Sequence, residues 1–307
     1  MITALADYVA ESGDLSILAE PAGDGQTVWN KVRHYLKQVF IHRDHDGDGL
    51  VEWTQLWEGG ADDKVGPLFT GAAIGTWCKA IETMDEKAFE KFHAANVHPV
   101  VNLYEQHFFL YALNALAGLA EKNRDSETAQ IAKARMDRIV TVLRDRHWDD
   151  KDGFYYDWDV NAGKLSRVKN QDAFYILRFL PDRNRAARMI KYLDDPEVFG
   201  LRYLPSLARN ERGFKAHGYW CGGYWPREAC SVAWGLASVG EWRRAEEMLI
   251  KALCCGRGKE LWENVNPLTG KPSTPNLCMA YNALLNVALR DIQDGAPRDQ
   301  KVINFTR

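Results

Sequence analysis

The chain has no run of about 18 consecutive apolar residues, so nothing in it reads as a membrane-spanning helix. Its opening, Met1-Ile2-Thr3-Ala4-Leu5-Ala6-Asp7-Tyr8, lacks a basic region followed by a long apolar stretch and is not read as a secretory leader. Charge is close to balanced, with 39 Lys and Arg against 42 Asp and Glu and a formal net charge of −3. That leaves no basic footprint for nucleic acid and no polybasic anchor for a membrane surface. The six cysteines, Cys78, Cys221, Cys230, Cys254, Cys255 and Cys278, include no CxxC pair. Neither a zinc site nor a disulfide framework is expected from such a scatter, which fits reduced thiols in the cytoplasm. Also missing are a G-x-S-x-G elbow, a phosphate-binding glycine loop, a dinucleotide fingerprint and an HExxH pair among the eight histidines. Elbow-type serine hydrolases, P-loop and dinucleotide enzymes and zincins are thereby set aside, and a cytoplasmic enzyme of another kind is expected.

What is present is helix. With 307 residues, 46% hydrophobic and 26% charged, the chain can bury a substantial core. Apolar residues recur at i, i+3, i+4 and i+7: Val28, Val32, Tyr35, Leu36 and Val39, then Ala132, Met136, Ile139, Val140 and Leu143. The same spacing returns in Ala245, Met248, Leu249, Ala252 and Leu253, and in Leu277, Ala280, Tyr281, Leu284 and Ala288. Helices are predicted at roughly 2–10, 27–41, 68–82, 85–94, 101–121, 126–146, 170–180, 183–194, 227–240, 242–254 and 275–291. The one strand signal is a short hairpin formed by Gly153-Phe154-Tyr155-Tyr156-Asp157-Trp158 and the turn Asn161-Ala162-Gly163-Lys164. Loops from Asp44 to Asp63, Trp148 to Asn170, Glu197 to Pro226 and Gly256 to Pro275 are long and rich in Trp, Gly and Pro. Long structured loops in a helical domain tend to carry function. The expectation is one all-α domain over residues 1–307, built of helical hairpins around an axis with a site at one end.

Two segments offer the chemistry. Trp57-Glu58-Gly59-Gly60-Ala61-Asp62-Asp63 and Trp262-Glu263-Asn264-Val265-Asn266-Pro267-Leu268-Thr269-Gly270 each set a carboxylate beside a tryptophan. Cleaving a glycosidic bond needs two carboxyl groups, one to protonate the leaving oxygen and one to activate water or attack the sugar carbon. Tryptophan planes suit the apolar faces of pyranose rings, and the chain holds eleven of them. A third segment, Asp44-His45-Asp46-Gly47-Asp48-Gly49-Leu50-Val51-Glu52, has acidic residues at positions 1, 3 and 5 and glycine at 6. That is the first half of a calcium loop, with the Leu50 carbonyl at position 7 and Glu52 at position 9. Position 12 is Gln55 in place of the bidentate Glu, and with no second loop or flanking helix pair evident a structural rather than a sensing ion is expected.

These residues resemble a known family. Asp44 to Leu50 followed by Trp57 to Asp63 is similar to the "D-x-D-G-D-G-L … W-E-S-G-x-D-N-S-P" run of glycoside hydrolase family 63 and its trehalase-like and mannosylglycerate hydrolase-like relatives. Asp195-Pro196-Glu197-Val198-Phe199-Gly200 with Leu204-Pro205-Ser206 resembles its "eF…G…PS" segment. Tyr219-Trp220-Cys221-Gly222-Gly223-Tyr224-Trp225-Pro226 resembles "Y-W-R-G-P-V-W-P", and Glu263 to Gly270 resembles "E-x-Y-x-P-x-T-G". The resemblance implies an (α/α)6 toroid and an inverting glycosidase acting on an α-linked glucoside or mannoside. It assigns Asp62 as general acid and Glu263 as general base. Trp53, Gln55, Trp57, Glu58, Trp220, Tyr224, Trp225 and Trp262 become candidate walls of the sugar pocket. The candidate ligands of the calcium ion are Asp44, Asp46, Asp48, Leu50 and Glu52.

Three features depart from the pattern. Cys221 replaces the arginine after the Tyr-Trp pair. Lys64-Val65 stands where the family has Ser-Pro. The first residues already match a point partway round the toroid, which is therefore expected to be incomplete on its N-terminal side, with self-association covering the open side. Two other functions fit the same residues: a non-catalytic sugar-binding or scaffolding remnant, and a disaccharide phosphorylase. The phosphorylase needs one catalytic acid and a phosphate cation, for which Arg227 is the candidate.

Overall fold

The computed structural model describes residues 2–44, 46–54, 64, 80, 82–96, 99–255, 262–274 and 280–294. Gln55, Trp57, Glu58, Asp62, all of the helix expected at about 68–82 except residues 80 and 82, Cys78 and Cys278 lie outside them. In chain order the elements are α1 (Ile2–Ser12), α2 (Val28–Arg43), α3 (Glu86–Asn96), β1 (Val100–Val101), α4 (Leu103–Lys122) and α5 (Ser126–Arg146). There follow β2 (Trp148–Asp149), β3 (Phe154–Tyr155), β4 (Trp158–Asp159), β5 (Lys164–Leu165), α6 (Arg183–Asp194), α7 (Glu228–Ser238), α8 (Trp242–Leu253) and α9 (Ala280–Gln293). Ser16–Ala19 and Gln171–Arg178 are 3-10 helices. No helix among the described residues is long and apolar enough to cross a membrane.

The chain groups into two compact units, one built from Met1–Glu52 and Glu105–Arg146, the other from Trp53–Tyr104 and His147–Pro297. In the first, the Thr27 side chain accepts from the Asn30 amide at 3.2 Å and caps α2, while His42 and Arg43 suit the carbonyl end of its dipole. Asp125 caps α5, accepting from the Thr128 amide at 3.0 Å and hydroxyl at 2.8 Å, and also takes the Trp29 indole N–H at 3.1 Å. The buried stripe of α5 is Ala129, Ala132, Met136, Ile139 and Leu143, as its periodicity implies. In α2 the stripe is Trp29, Val32 and Leu36, and Tyr35, expected among them, stands 64% exposed. Its hydroxyl tolerates water, whereas the larger apolar Trp29 turns inward.

The second unit carries the short strands. β1, β4 and β5 form an antiparallel sheet in that order, and β2 pairs with β3. The expected hairpin is thus divided: Trp158–Asp159 folds back on Lys164–Leu165, and Phe154–Tyr155 pairs upstream instead. Residues 170–180, expected as α-helix, are a 3-10 helix from Gln171 to Arg178 with Gln171 through Leu177 buried. Its start is already committed to other chain: the Gln171 amide donates to Ser206 O at 3.0 Å, and Asn170 bridges Leu207. α7 packs on this segment, on α8 and on α9. The buried side of α9 is Leu285, Ala288 and Ile292, one position on from the expected Leu284, which is 37% exposed.

Candidate active site

Glu263 sits half-buried at a bend just ahead of a turn, Asn266 to Gly270, that its own segment builds. Asn266 Oδ1 accepts from the amides of Leu268 (2.9 Å) and Thr269 (3.2 Å), and Gly270 closes the turn onto Asn266 O at 2.8 Å. An asparagine side chain holding the next two amides is the ordinary chemistry of an Asn-Pro-x-x-Gly run. The turn is pinned to the Tyr-Trp segment by a two-way backbone pair, Tyr224 N to Val265 O at 2.8 Å and Val265 N to Tyr224 O at 3.0 Å.

Side chains complete the join. The Tyr219 hydroxyl donates to Glu263 Oε1 at 3.1 Å. Tyr219 is held by its carbonyl, which accepts from Trp225 Nε1 at 3.0 Å and Asn264 Nδ2 at 3.3 Å. The Trp220 and Trp225 rings stack with centroids 4.3 Å apart and planes 17° apart, and Tyr104 meets Trp220 edge-on at 5.5 Å. Two motifs that lie apart in the sequence are therefore one object around a carboxylate. Trp220, Tyr224 and Trp225 are buried, with Tyr224 stacked on Tyr203, and Trp262 is half-buried. Trp53 is buried and pairs its backbone with Val100.

Beside Trp220 lies a group of residues that the sequence did not mark as a site. The Lys64 ammonium is buried between two carboxylates, 2.8 Å from Asp157 Oδ2 and 2.5 Å from Asp172 Oδ2. Asp157 also accepts the Leu103 amide at 2.8 Å. Burial lowers the Lys64 pKa, but Asp157 and Asp172 outweigh it and hold the ammonium charged. Burial pushes the Asp172 carboxyl up to about 6, against the opposing pull of Lys64. Lys64, Tyr104, Gln171, Asp172, Ser206 and Trp220 line a cavity of about 10 Å³. Its one signal in the sequence is the departure from Ser-Pro at Lys64-Val65.

In the first unit the acidic loop brings Asp44, Asp46 and Asp48 together, with carboxylate oxygens within 4.8 Å of one another, and Glu52 is not in that group. Gly47 takes a left-handed φ of 74°. Each aspartate spends one oxygen on backbone: Asp44 on Gly49 N (3.1 Å), Asp46 on Asp48 N (3.1 Å) and Asp48 on Leu50 N (2.8 Å). α5 supplies cations to what remains. Arg135 lies 3.4 Å from Asp44 Oδ2, Arg146 lies 2.5 Å from Asp48 Oδ2, and Arg138 donates to the Asp48 carbonyl at 2.9 Å. Three converging carboxylates fit a hard cation. The arginines use the same oxygens, so ion and arginines compete.

Residues 18–282 match the family described as the mannosylglycerate hydrolase MGH1-like glycoside hydrolase domain. Curated mannosylglycerate hydrolases are similar over part of the chain. The Thermus thermophilus protein is 30% identical over 128 residues, covering 40% of this chain and 30% of that one. The Rubrobacter radiotolerans protein is 30% identical over 179 residues, covering 55% and 39%. The match thus spans only about a third of the length of these relatives. A crystal structure of the glycoside hydrolase family 63 mannosylglycerate hydrolase from Thermus thermophilus in complex with glucose superposes with a TM-score of 0.66 at 20% identity, covering 93% of this chain and 73% of that one. That likeness shows the fold, which is all-α and of the (α/α)6 class expected from the sequence.

Proposed function

From the premise that this chain belongs to the mannosylglycerate hydrolase MGH1-like glycoside hydrolase family, we propose that it hydrolyses an α-linked mannoside or glucoside of a small glycoside with inversion. Glu263 is the general base that holds and deprotonates the attacking water, and Asp62 is the general acid that protonates the leaving oxygen. The observation that carries this reading is the join at Glu263. The Tyr-Trp segment delivers the Tyr219 hydroxyl to its carboxylate, and the Tyr219 ring packs edge-on against Trp225 of the Trp220–Trp225 stack. A base must be fixed in direction, and the Tyr219 hydroxyl holds the Glu263 carboxylate in place. Mannosylglycerate and glucosylglycerate are the first substrates to try, because the similar proteins are named for the former.

The phosphorylase reading is weakened at its one cation. Arg227 is engaged by Glu228 Oε1 through Nε at 2.7 Å and by the Tyr104 hydroxyl at 2.8 Å. The test is product release from mannosylglycerate, glucosylglycerate, trehalose, maltose, kojibiose and nigerose, with wild type beside Asp62→Asn and Glu263→Gln. Turnover by wild type lost in both variants is expected. No turnover of any sugar by wild type would leave the sugar-binding remnant as the better account.

A further inference from the structure

Gln171 is a buried donor for which the two-carboxylate mechanism has no use. It is 2% exposed, and its Nε2 has no hydrogen-bond partner among the described residues. It lines the cavity shared with Tyr104, Asp172, Ser206 and Trp220. Buried amide donors in native structures are normally satisfied, and an unsatisfied one facing a cavity points to a group that enters it. A sugar hydroxyl needs one acceptor for its hydrogen and one donor for its oxygen. Asp172 supplies the first and Gln171 the second, beside an aromatic ring. Size agrees: about 10 Å³ is at the lower limit of the roughly 10–15 Å³ that admits one water, so one hydroxyl enters and a pyranose ring does not.

Both polar groups are held still. Lys64, which also lines the cavity, fixes Asp172 through its Oδ2 at 2.5 Å, and the backbone around Gln171 pairs with residues 206–208 through Gln171 N to Ser206 O at 3.0 Å and Ala208 N to Lys169 O at 2.9 Å. Ser206 N then donates to Gly223 O at 2.9 Å, next to the Tyr224–Val265 pair that pins the Glu263 turn. One continuous ledge of backbone hydrogen bonds joins the cavity to the proposed base. Resting on the glycosidase reading above, we propose that this cavity is the recognition corner for a single hydroxyl of the substrate sugar, with Gln171 as its specificity-determining donor.

The experiment compares wild type with Gln171→Met, which keeps length and loses the donor, on the glycoside that wild type cleaves and on its monodeoxy analogues. Gln171→Met is expected to lower kcat/KM on the parent about 10-fold. On one deoxy analogue, and only that one, the two proteins should be equal. A loss of the same size on every analogue would make Gln171 merely structural, and no loss on the parent would leave the cavity a water site. Either result overturns the proposal while turnover itself stands. Should wild type cleave nothing, the glycosidase reading fails separately. Calorimetric binding of methyl α-D-mannopyranoside and methyl α-D-glucopyranoside then decides: weaker binding by Gln171→Met supports the corner, and equal or absent binding overturns it.

Discussion

Lys64 shows how a residue can be plain in the sequence and unreadable there. Its partners Asp157 and Asp172 are 93 and 108 positions away, a separation that no local pattern encodes. Only its mismatch with Ser-Pro marked the spot. Breaking a buried ion group leaves uncompensated charge, so Lys64→Met should lower stability by about 3–5 kcal/mol in urea unfolding. A loss under about 1 kcal/mol would mean that the triad is not dry. Asp172 adds a pH dependence with a definite sign. Its folded pKa, about 6, lies above the ordinary 3.8, so the folded state holds the extra proton between those values. The stability it contributes is complete below about 3.8 and is lost as pH rises through about 6. Asp172→Asn removes that titration, so stability measured against wild type should shift in the variant's favour between about pH 4 and about pH 7. An unchanged difference would show Asp172 ionised throughout. Glu263, in contrast, stood out in the sequence as a candidate in the Trp262–Gly270 segment. Its partner Tyr219 lay in a recognised motif without a role, and Tyr219→Phe should reduce kcat by about 10-fold by removing a hydrogen bond to a charged group. An unaltered kcat would detach Tyr219 from the base.

At the scale of elements, periodicity served well where a helix keeps its own hydrogen bonds and poorly where tertiary pairing claims them. α5 and α6 have the bounds expected for them, and in the fold Asp125 and Asp182 cap them, Asp182 accepting from the amides of Asn184 and Arg185. Gln171–Arg178 is buried from Gln171 to Leu177, and its first amide donates to Ser206 O where Asn170 bridges Leu207, so its helix type was set by tertiary contacts. α7 lies against it closely enough that a Cβ on Gly235 would stand 2.2 Å from the Phe174 carbonyl oxygen. Backbone cannot yield as a flexible side chain does. Gly235→Ala, favourable for an isolated helix, should therefore destabilise by about 1–3 kcal/mol as an overpacked contact. A stabilised variant, read by the urea midpoint, would mean that α7 and the 3-10 segment stand further apart.

For the whole molecule, the fold class was legible because it rests on many weak, repeated signals: helical stripes and four motifs in a fixed order. The acidic loop rests on one spacing and is harder to judge, because the counter-charges that settle its chemistry come from α5, about ninety residues on. Arg135 and Arg146 occupy oxygens of Asp44 and Asp48 that a calcium ion would need. An ion that binds only the folded chain raises its stability by RT ln(1 + [L]/Kd), about 2.7 kcal/mol at a hundred times Kd, so Tm reports its occupancy. Removing one competing cation should strengthen that response. Arg146→Gln should therefore lose some stability without calcium, yet gain more in Tm on calcium addition than wild type does, with chelator reversing both gains. If neither protein responds to calcium, the loop is held by its own backbone turns and arginines. If wild type responds more strongly than Arg146→Gln, the arginine assists the ion and the competition drawn from shared oxygens is wrong.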